Sequence, residues 1–399
     1  MNGFEPLIKG PFAVPGVIGH PEALTSWYSR SAVVDGEDIY VVYMGNDAEF
    51  SSYVIKFGGA GQGWTEPLRL GSGGKQDQHH YPNIVMDKEG FLHVFYGAHC
   101  DPLHYRRSLR PRDISEWTPE EFPIPIATYP RPFVLSDGRI LVFQRSGYTR
   151  STRYRYGYIE SSNGGKSWSE FRALIDVPDN FWIPYVGGVR VEERAQQGPT
   201  VHIGWCWFDY KKNSSDIYYE DLLFASFPLD TEIWMDVEGT QQDQPLVYEQ
   251  VDPILRGHWI YAEDMSVDEQ GRPVLAFSRG GLKGEGAVHS MEYDGEWQTR
   301  DHKICAGHVR VECAGGWTTV AGISEGDQPG VVLYQWEGDS PVVRRALHSS
   351  SVPGHPILVP DAAEDHFHIF WTNTVSDSEG QLMYGKAAIC PTSVTEDDV

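Results

Sequence analysis

Imidazoles, a phenol and a guanidinium recur in this chain at spacings that could bring them together. The segment from Asp77 to Ser108 reads DQHHYPNIVMDKEGFLHVFYGAHCDPLHYRRS, dense in His, Tyr and Arg. His79 and His80 stand just before one apolar run, and His99 follows the next. Further on, Tyr129 in TYP precedes an apolar run, and Arg145 comes after its partner. Imidazoles and phenols exchange protons and a guanidinium pairs with carboxylates, so the set suits acid–base work on an anionic substrate.

What would position them is a pair of hairpins. In an antiparallel hairpin, the residue before the first strand and the residue after the second are neighbours. His79 (or His80) and His99 are therefore expected to meet at one end of a hairpin. Tyr129 and Arg145 are expected to meet at the same end of the next. A lone His at a strand end more often serves as a surface hydrogen-bonding group, so the convergence carries the functional reading.

The hairpins belong to a repeat. A Gly-containing turn, often with Asp before it, is followed by a strand rich in β-branched and aromatic residues. Copies begin at Asp35-Gly36, Asp87 to Gly90, Asp137-Gly138, Gly198 (the faintest), Asp268 to Gly271, Gly315-Gly316 and Asp365. Seven copies at a spacing of about fifty residues predict a seven-bladed β-propeller with four-stranded antiparallel blades. Residues 1–399 are then one all-β domain, with an acidic tail at about 395–399. Ser161 to Trp168 resembles the Asp-box turn of sialidase-like propellers, with Asn163 in place of the Asp.

Composition bounds the partners. The 399 residues carry a formal charge of −24, which disfavours nucleic acid and anionic membrane surfaces. The same field repels an anionic polysaccharide at long range, so such a substrate demands a local basic patch. Arg106, Arg107, Arg131, Arg145, Arg150, Arg153 and Arg155 supply one in the sequence, unless nearby acids balance them. Trp182, Tyr185, Trp205 and Trp207 suit either sugar stacking or blade core. Five cysteines without a CxxC pair read as mostly free thiols, although Cys305 and Cys313 could pair across a hairpin. The N-terminus lacks the pattern of a signal peptide and no apolar run reaches a membrane span. The reading is cytoplasmic as written, or secreted if a signal was removed. A monomer or small homo-oligomer is expected.

Weaker constellations are His366 with His368, alternating on one strand, and the adjacent carboxylates Glu263 and Asp264. His348, His355 and Cys390 are candidates for a structural metal ion, calcium or zinc, without a strong ligand spacing. No cofactor is expected to be required for catalysis.

At these residues the chain resembles the BNR-repeat propeller polysaccharide lyases, the ulvan lyase and rhamnose–glucuronate lyase group. In that group a D-x-H-H-x-P pattern is followed about twenty residues later by the His of YGAH, and a Tyr of TYP by an Arg about sixteen residues on. Here His79 and His99 are twenty residues apart, and Tyr129 and Arg145 sixteen. The strong motifs cover about residues 77 to 168, and looser likeness extends along the chain. The resemblance implies β-elimination on a uronate, with His79, His99, Tyr129 and Arg145 as catalytic residues. Arg145 would neutralise the carboxylate, and Tyr129 and the His pair would act as base and acid. His80, Arg106, Arg107, Arg131, Trp182 and Tyr185 are the expected contacts for the anionic substrate. The alternatives are a rhamnosidase-like glycoside hydrolase on the same propeller, or a non-catalytic carbohydrate-binding propeller.

Overall fold

A computed structural model gives the architecture. It describes residues 8–24, 30–59, 62–73, 76–147, 153–177, 182–194, 198–209, 219–231, 233–242, 245–247, 250–280, 286–302, 304, 309–324, 329–340, 342–349, 351, 353–361 and 365–390. The acidic tail, Arg150 and Cys305 lie outside the described residues.

The turns come first, because they set the repeat. In the second copy, one oxygen of Asp87 accepts the backbone N–H groups of Glu89 (3.0 Å) and Phe91 (2.9 Å). Gly90 takes the left-handed φ of +87° that closes the turn. Asp268 does the same for Gln270 and Arg272, with Gly271 at +81°. The Asp-to-Gly signature is thus a carboxylate that satisfies turn donors beside a residue free to adopt positive φ.

Each such turn joins the first two strands of a blade. Among the described residues the strands form seven antiparallel sheets, one for each copy of the repeat, arranged as a seven-bladed β-propeller. Blades five and six are regular four-stranded meanders, Ile260 to His302 and Arg310 to His348. Blade four adds three short strands after the long hairpin Trp182–Arg194 and Gly198–Asp209, so the faintest repeat in the sequence is the longest hairpin in the fold. Blade two is a three-stranded sheet, Asn83–Met86, Leu92–Tyr96 and His104–Arg107.

The ring is closed by the strand Ile8–Gly19, which pairs as the outermost strand of blade seven against Glu379–Ala388. The Gln381 amide donates to the carbonyls of Val14 and Val17, both at 2.9 Å. The first strand of each blade lies along the channel, and the core fills the faces between neighbouring blades. Trp205, Trp234, Trp336 and Trp371 are fully buried there. The Asp-box turn keeps its geometry with Asn. The Asn163 side-chain oxygen accepts from the Ser167 amide (3.0 Å), and Trp168 packs edge-on against Phe95 and Tyr105.

Candidate active site at the seam of blades two and three

The seam is made by a strand that leaves its own blade. His99–Asp101 follows blade two's second strand but pairs with Ala127–Val134, the first strand of blade three. In register, His99 faces Thr128 and Thr128 faces Arg145. One row across the sheet therefore carries the second imidazole and the guanidinium.

Tyr129 would point to the opposite face from Thr128 if the strand were regular. A bulge intervenes, because Thr128 pairs with Arg145 and the next pair is Arg131 with Phe143. Tyr129 takes φ of +58°, unusual for a bulky residue, and its N–H donates to the Ala98 carbonyl at 3.2 Å. The bulge re-aims the phenol toward the histidines, a backbone distortion of the kind found where geometry serves a site.

The four side chains meet. The His79 and His99 ring centres are 4.1 Å apart, and Tyr129 lies 6.0 Å from the first and 5.6 Å from the second. The Arg145 guanidinium carbon is 5.2 Å from the Tyr129 ring centre, 4.9 Å from Tyr185 and 5.5 Å from Tyr154. Tyr81 lies parallel to Tyr129 at 6.4 Å. A narrow crevice lies beside Tyr129, Arg145, Pro184 and Tyr185.

Charge states follow from burial and partners. Burial would raise the Asp77 carboxyl, but hydrogen bonds from His79 and His99, both 2.6 Å, hold it well below the usual carboxylate range. Burial lowers the His99 imidazole, with His79 and Arg145 adding repulsion against the Asp77 contribution. Burial and Tyr185 push the Tyr129 phenol well above its ordinary value, with Arg145 pulling back. Near neutral pH the site thus presents an uncharged His99, a protonated phenol and a guanidinium.

The other expected contacts are dispersed. Tyr185 flanks Arg145, and Trp182 starts the first strand of blade four, half-buried against the core. His80 is fully buried and its Nε2 lies 3.2 Å from Asp101, because adjacent residues diverge at the turn. Arg131 is buried, donating to the carbonyls of Val186 (3.3 Å) and Gly187 (2.5 Å), and so ties blade three to blade four. Arg107 stacks on Phe91 at 3.6 Å, beside the turn at the far end of blade two, and Arg106 sits near Tyr96 and Glu120. Arg153 and Arg155 line an outer cleft with Trp168 and Phe171. The expected single basic patch is therefore not formed by the described arginines, since strand alternation and pairing send them to different faces.

Trp205 and Trp207 are core. Glu263 is buried against Ser278 (2.7 Å), its carboxyl pushed up to about 8 by burial. Asp264 pairs with Arg190 and Arg310. His368 is buried with Nδ1 2.9 Å from the Tyr384 hydroxyl, His348 is exposed and His355 is half-buried. Cys313 is a free thiol. Among the described residues, His348, His355 and Cys390 do not converge. The group of candidate metal ligands that does is Asp77, His79 and His99, with ligand atoms within 4.8 Å of one another. Both Nδ1 atoms there already bond to Asp77, so a cation taking those two nitrogens would displace these hydrogen bonds. Asp77, Tyr81 and Tyr154 also belong to the cluster, and Asp77 opens the D-x-H-H pattern.

The model of the BNR repeat-containing family matches residues 32–304, more than half of the sequence. The chain belongs to this family. Among curated proteins, this BNR-repeat chain is 27% identical over 318 residues to an ulvan lyase of Pseudoalteromonas sp. (strain PLSV). That match covers 69% of the chain and 62% of the relative, so it spans less than two thirds of that relative's length. It is 24% identical over 381 residues to an ulvan lyase of Alteromonas sp. (strain LOR), covering 81% of the chain and 73% of the relative. Among solved structures, a PL25 ulvan lyase bound to -[GlcA(1-4)Rha3S]- superposes with a TM-score of 0.77 at 19% identity, covering 94% of the chain and 95% of the other. The polysaccharide lyase Uly1 superposes with a TM-score of 0.67 at 12% identity, covering 92% and 91%. These superpositions establish a shared propeller for the BNR-repeat chain.

Proposed function

We propose that this protein is a polysaccharide lyase that cleaves a uronate-containing glycan by β-elimination. The observation that carries the reading is the convergence of His79, His99, Tyr129 and Arg145 at the seam of blades two and three. The relatives bearing the name ulvan lyase, and the glucuronate–rhamnose sulfate ligand of one superposed structure, support a 1,4-linked uronate as substrate.

In this mechanism Arg145 pairs with the uronate carboxylate. That lowers the cost of charge building on the carboxyl group when the C5 proton leaves. An imidazole Nε2 of the His79–His99 pair takes the proton, because His99 is held neutral. The C5–H electron pair becomes the C4–C5 double bond, and the C4–O4 bond breaks toward the leaving sugar. Tyr129 gives its proton to that oxygen, consistent with a phenol kept protonated by burial. Tyr185, beside Arg145, offers a ring face to the sugar.

The test is a screen of uronate polymers, ulvan first, for rising ultraviolet absorbance from the unsaturated uronate. New reducing ends without absorbance would replace the lyase by a hydrolase, and neither signal would leave a binding propeller.

A further inference from the structure

Asp77 stands behind the two imidazoles and makes the same contact to each. Its Oδ1 lies 2.6 Å from His79 Nδ1 and its Oδ2 lies 2.6 Å from His99 Nδ1. The His79 backbone N–H also donates to Oδ1, at 3.0 Å, which fixes the carboxylate against the turn that carries it. Asp77 is half-buried, as are both histidines.

We propose that Asp77 is a positioning residue that locks both imidazoles in one tautomer, Nδ1–H inward and Nε2 outward. The proposal rests on the lyase reading only for its catalytic consequence. An ionised carboxylate only accepts hydrogen bonds, so each Nδ1 must donate to it. A neutral imidazole protonated at Nδ1 keeps its lone pair on Nε2. One carboxylate thus prepares two acceptors, where a single acid usually orients a single histidine.

The pairing also sets the two rings against each other electrostatically. With ring centres 4.1 Å apart, a charge on one imidazole opposes a charge on the other. Arg145 opposes it further at His99, whereas Glu22 faces His79 as a second acid. Asp77, within hydrogen-bond distance of both rings, faces either one with an opposite charge. The His79–His99 pair behaves as one base with two lone pairs, able to meet a proton arriving over a wider angle than a single ring allows.

Asp77→Asn is the discriminating change. An amide offers one accepting oxygen and one donating nitrogen, so only one imidazole keeps its tautomer and the other turns an Nε2–H toward the substrate. Side-chain nitrogen NMR of the labelled full chain, assigned with His79→Gln and His99→Gln, reads the tautomers without any activity assay. The expected result is Nδ1–H on both histidines in the parent and on one in Asp77→Asn. Turnover on the glycan identified by absorbance should fall about 10²- to 10⁴-fold, with KM within about threefold. The acid limb of the pH profile should move to lower pH, because the imidazolium has lost its counter-charge.

Parent spectra lacking Nδ1–H at either ring would overturn the proposal, as would an active Asp77→Asn enzyme with unchanged tautomers and turnover. If Asp77→Asn does not fold, the parent spectra alone decide it. A parent with both rings locked but no lyase activity would support the positioning and remove the reaction.

Discussion

The rings of His99 and Tyr129 face each other across the seam between two blades, with centres 5.6 Å apart and planes 22° from parallel. An imidazole that follows blade two and a phenol from blade three are thereby set on either side of one small gap. The strand His99–Asp101, which pairs with blade three rather than with its own blade, brings them there.

Tyr129→Phe keeps the ring, its bulge and its stacking on Tyr81, and removes only the hydroxyl. Turnover should fall about 10²- to 10⁴-fold while the melting temperature stays within a few degrees. A variant with undiminished rate would take the phenol out of the reaction.

Arg145 is held among Tyr129, Tyr154 and Tyr185, where a planar guanidinium stacks better than an ammonium. Arg145→Gln should lower kcat/KM about 10²- to 10³-fold. Arg145→Lys, which retains the charge but not the two-pronged contact, should fall between the parent and Arg145→Gln. Steady-state rates by absorbance, with circular dichroism to check the fold, measure both. Equal loss in the two variants would show that charge alone is not what the substrate feels.

The pH dependence has a definite sign. His99 is lowered from its ordinary value, so its neutral, proton-accepting form persists to pH values below about 6.5. The rate should hold as pH falls through 6.5 and decline only below it. Tyr129 is raised well above its ordinary value, so its deprotonation should produce no alkaline limb below about pH 10. A profile of kcat/KM against pH decides it, and an acid limb above pH 7 would contradict the assignment.

Stability should respond to Glu263. Its folded-state value of about 8 lies above that of a free carboxyl. The stabilisation it brings is present when it is protonated at low pH and is lost as pH rises toward and through 8. Glu263→Gln, which is neutral at every pH, should melt near the parent temperature at pH 5 and above it at pH 9. The difference is expected to be on the order of a few kcal/mol. Parallel melting curves across that range would show that Glu263 does not carry the effect.

Much of this was legible in the sequence because short-range rules govern it. The Asp-to-Gly turns that mark the repeat work through contacts within four residues, as Asp87 and Asp268 show. That His79 should come near His99, and Tyr129 near Arg145, is what hairpin geometry leads one to expect. What was not legible depends on pairing between blades. Nothing local tells that Arg131 spends its donors on blade four, or that Arg107 leans over Phe91 at the far end of its strand. The bulge that re-aims Tyr129 and the migration of His99–Asp101 to the neighbouring sheet are likewise long-range outcomes. Asp77 has no signal of its own in the sequence, because its contacts run to two other side chains.

The strand that completes blade seven also sets an order of events. Ile8–Gly19 is made before every other described strand, yet its partner, Glu379–Ala388, is made more than 350 residues later. Through most of synthesis this early segment has no sheet to join, while blades two and three can already assemble their seam. The nascent chain would then carry the His–Tyr–Arg corner well before it has a closed circle. A late act of folding would be this long-range handshake, whose large sequence separation makes it the slow and aggregation-exposed step.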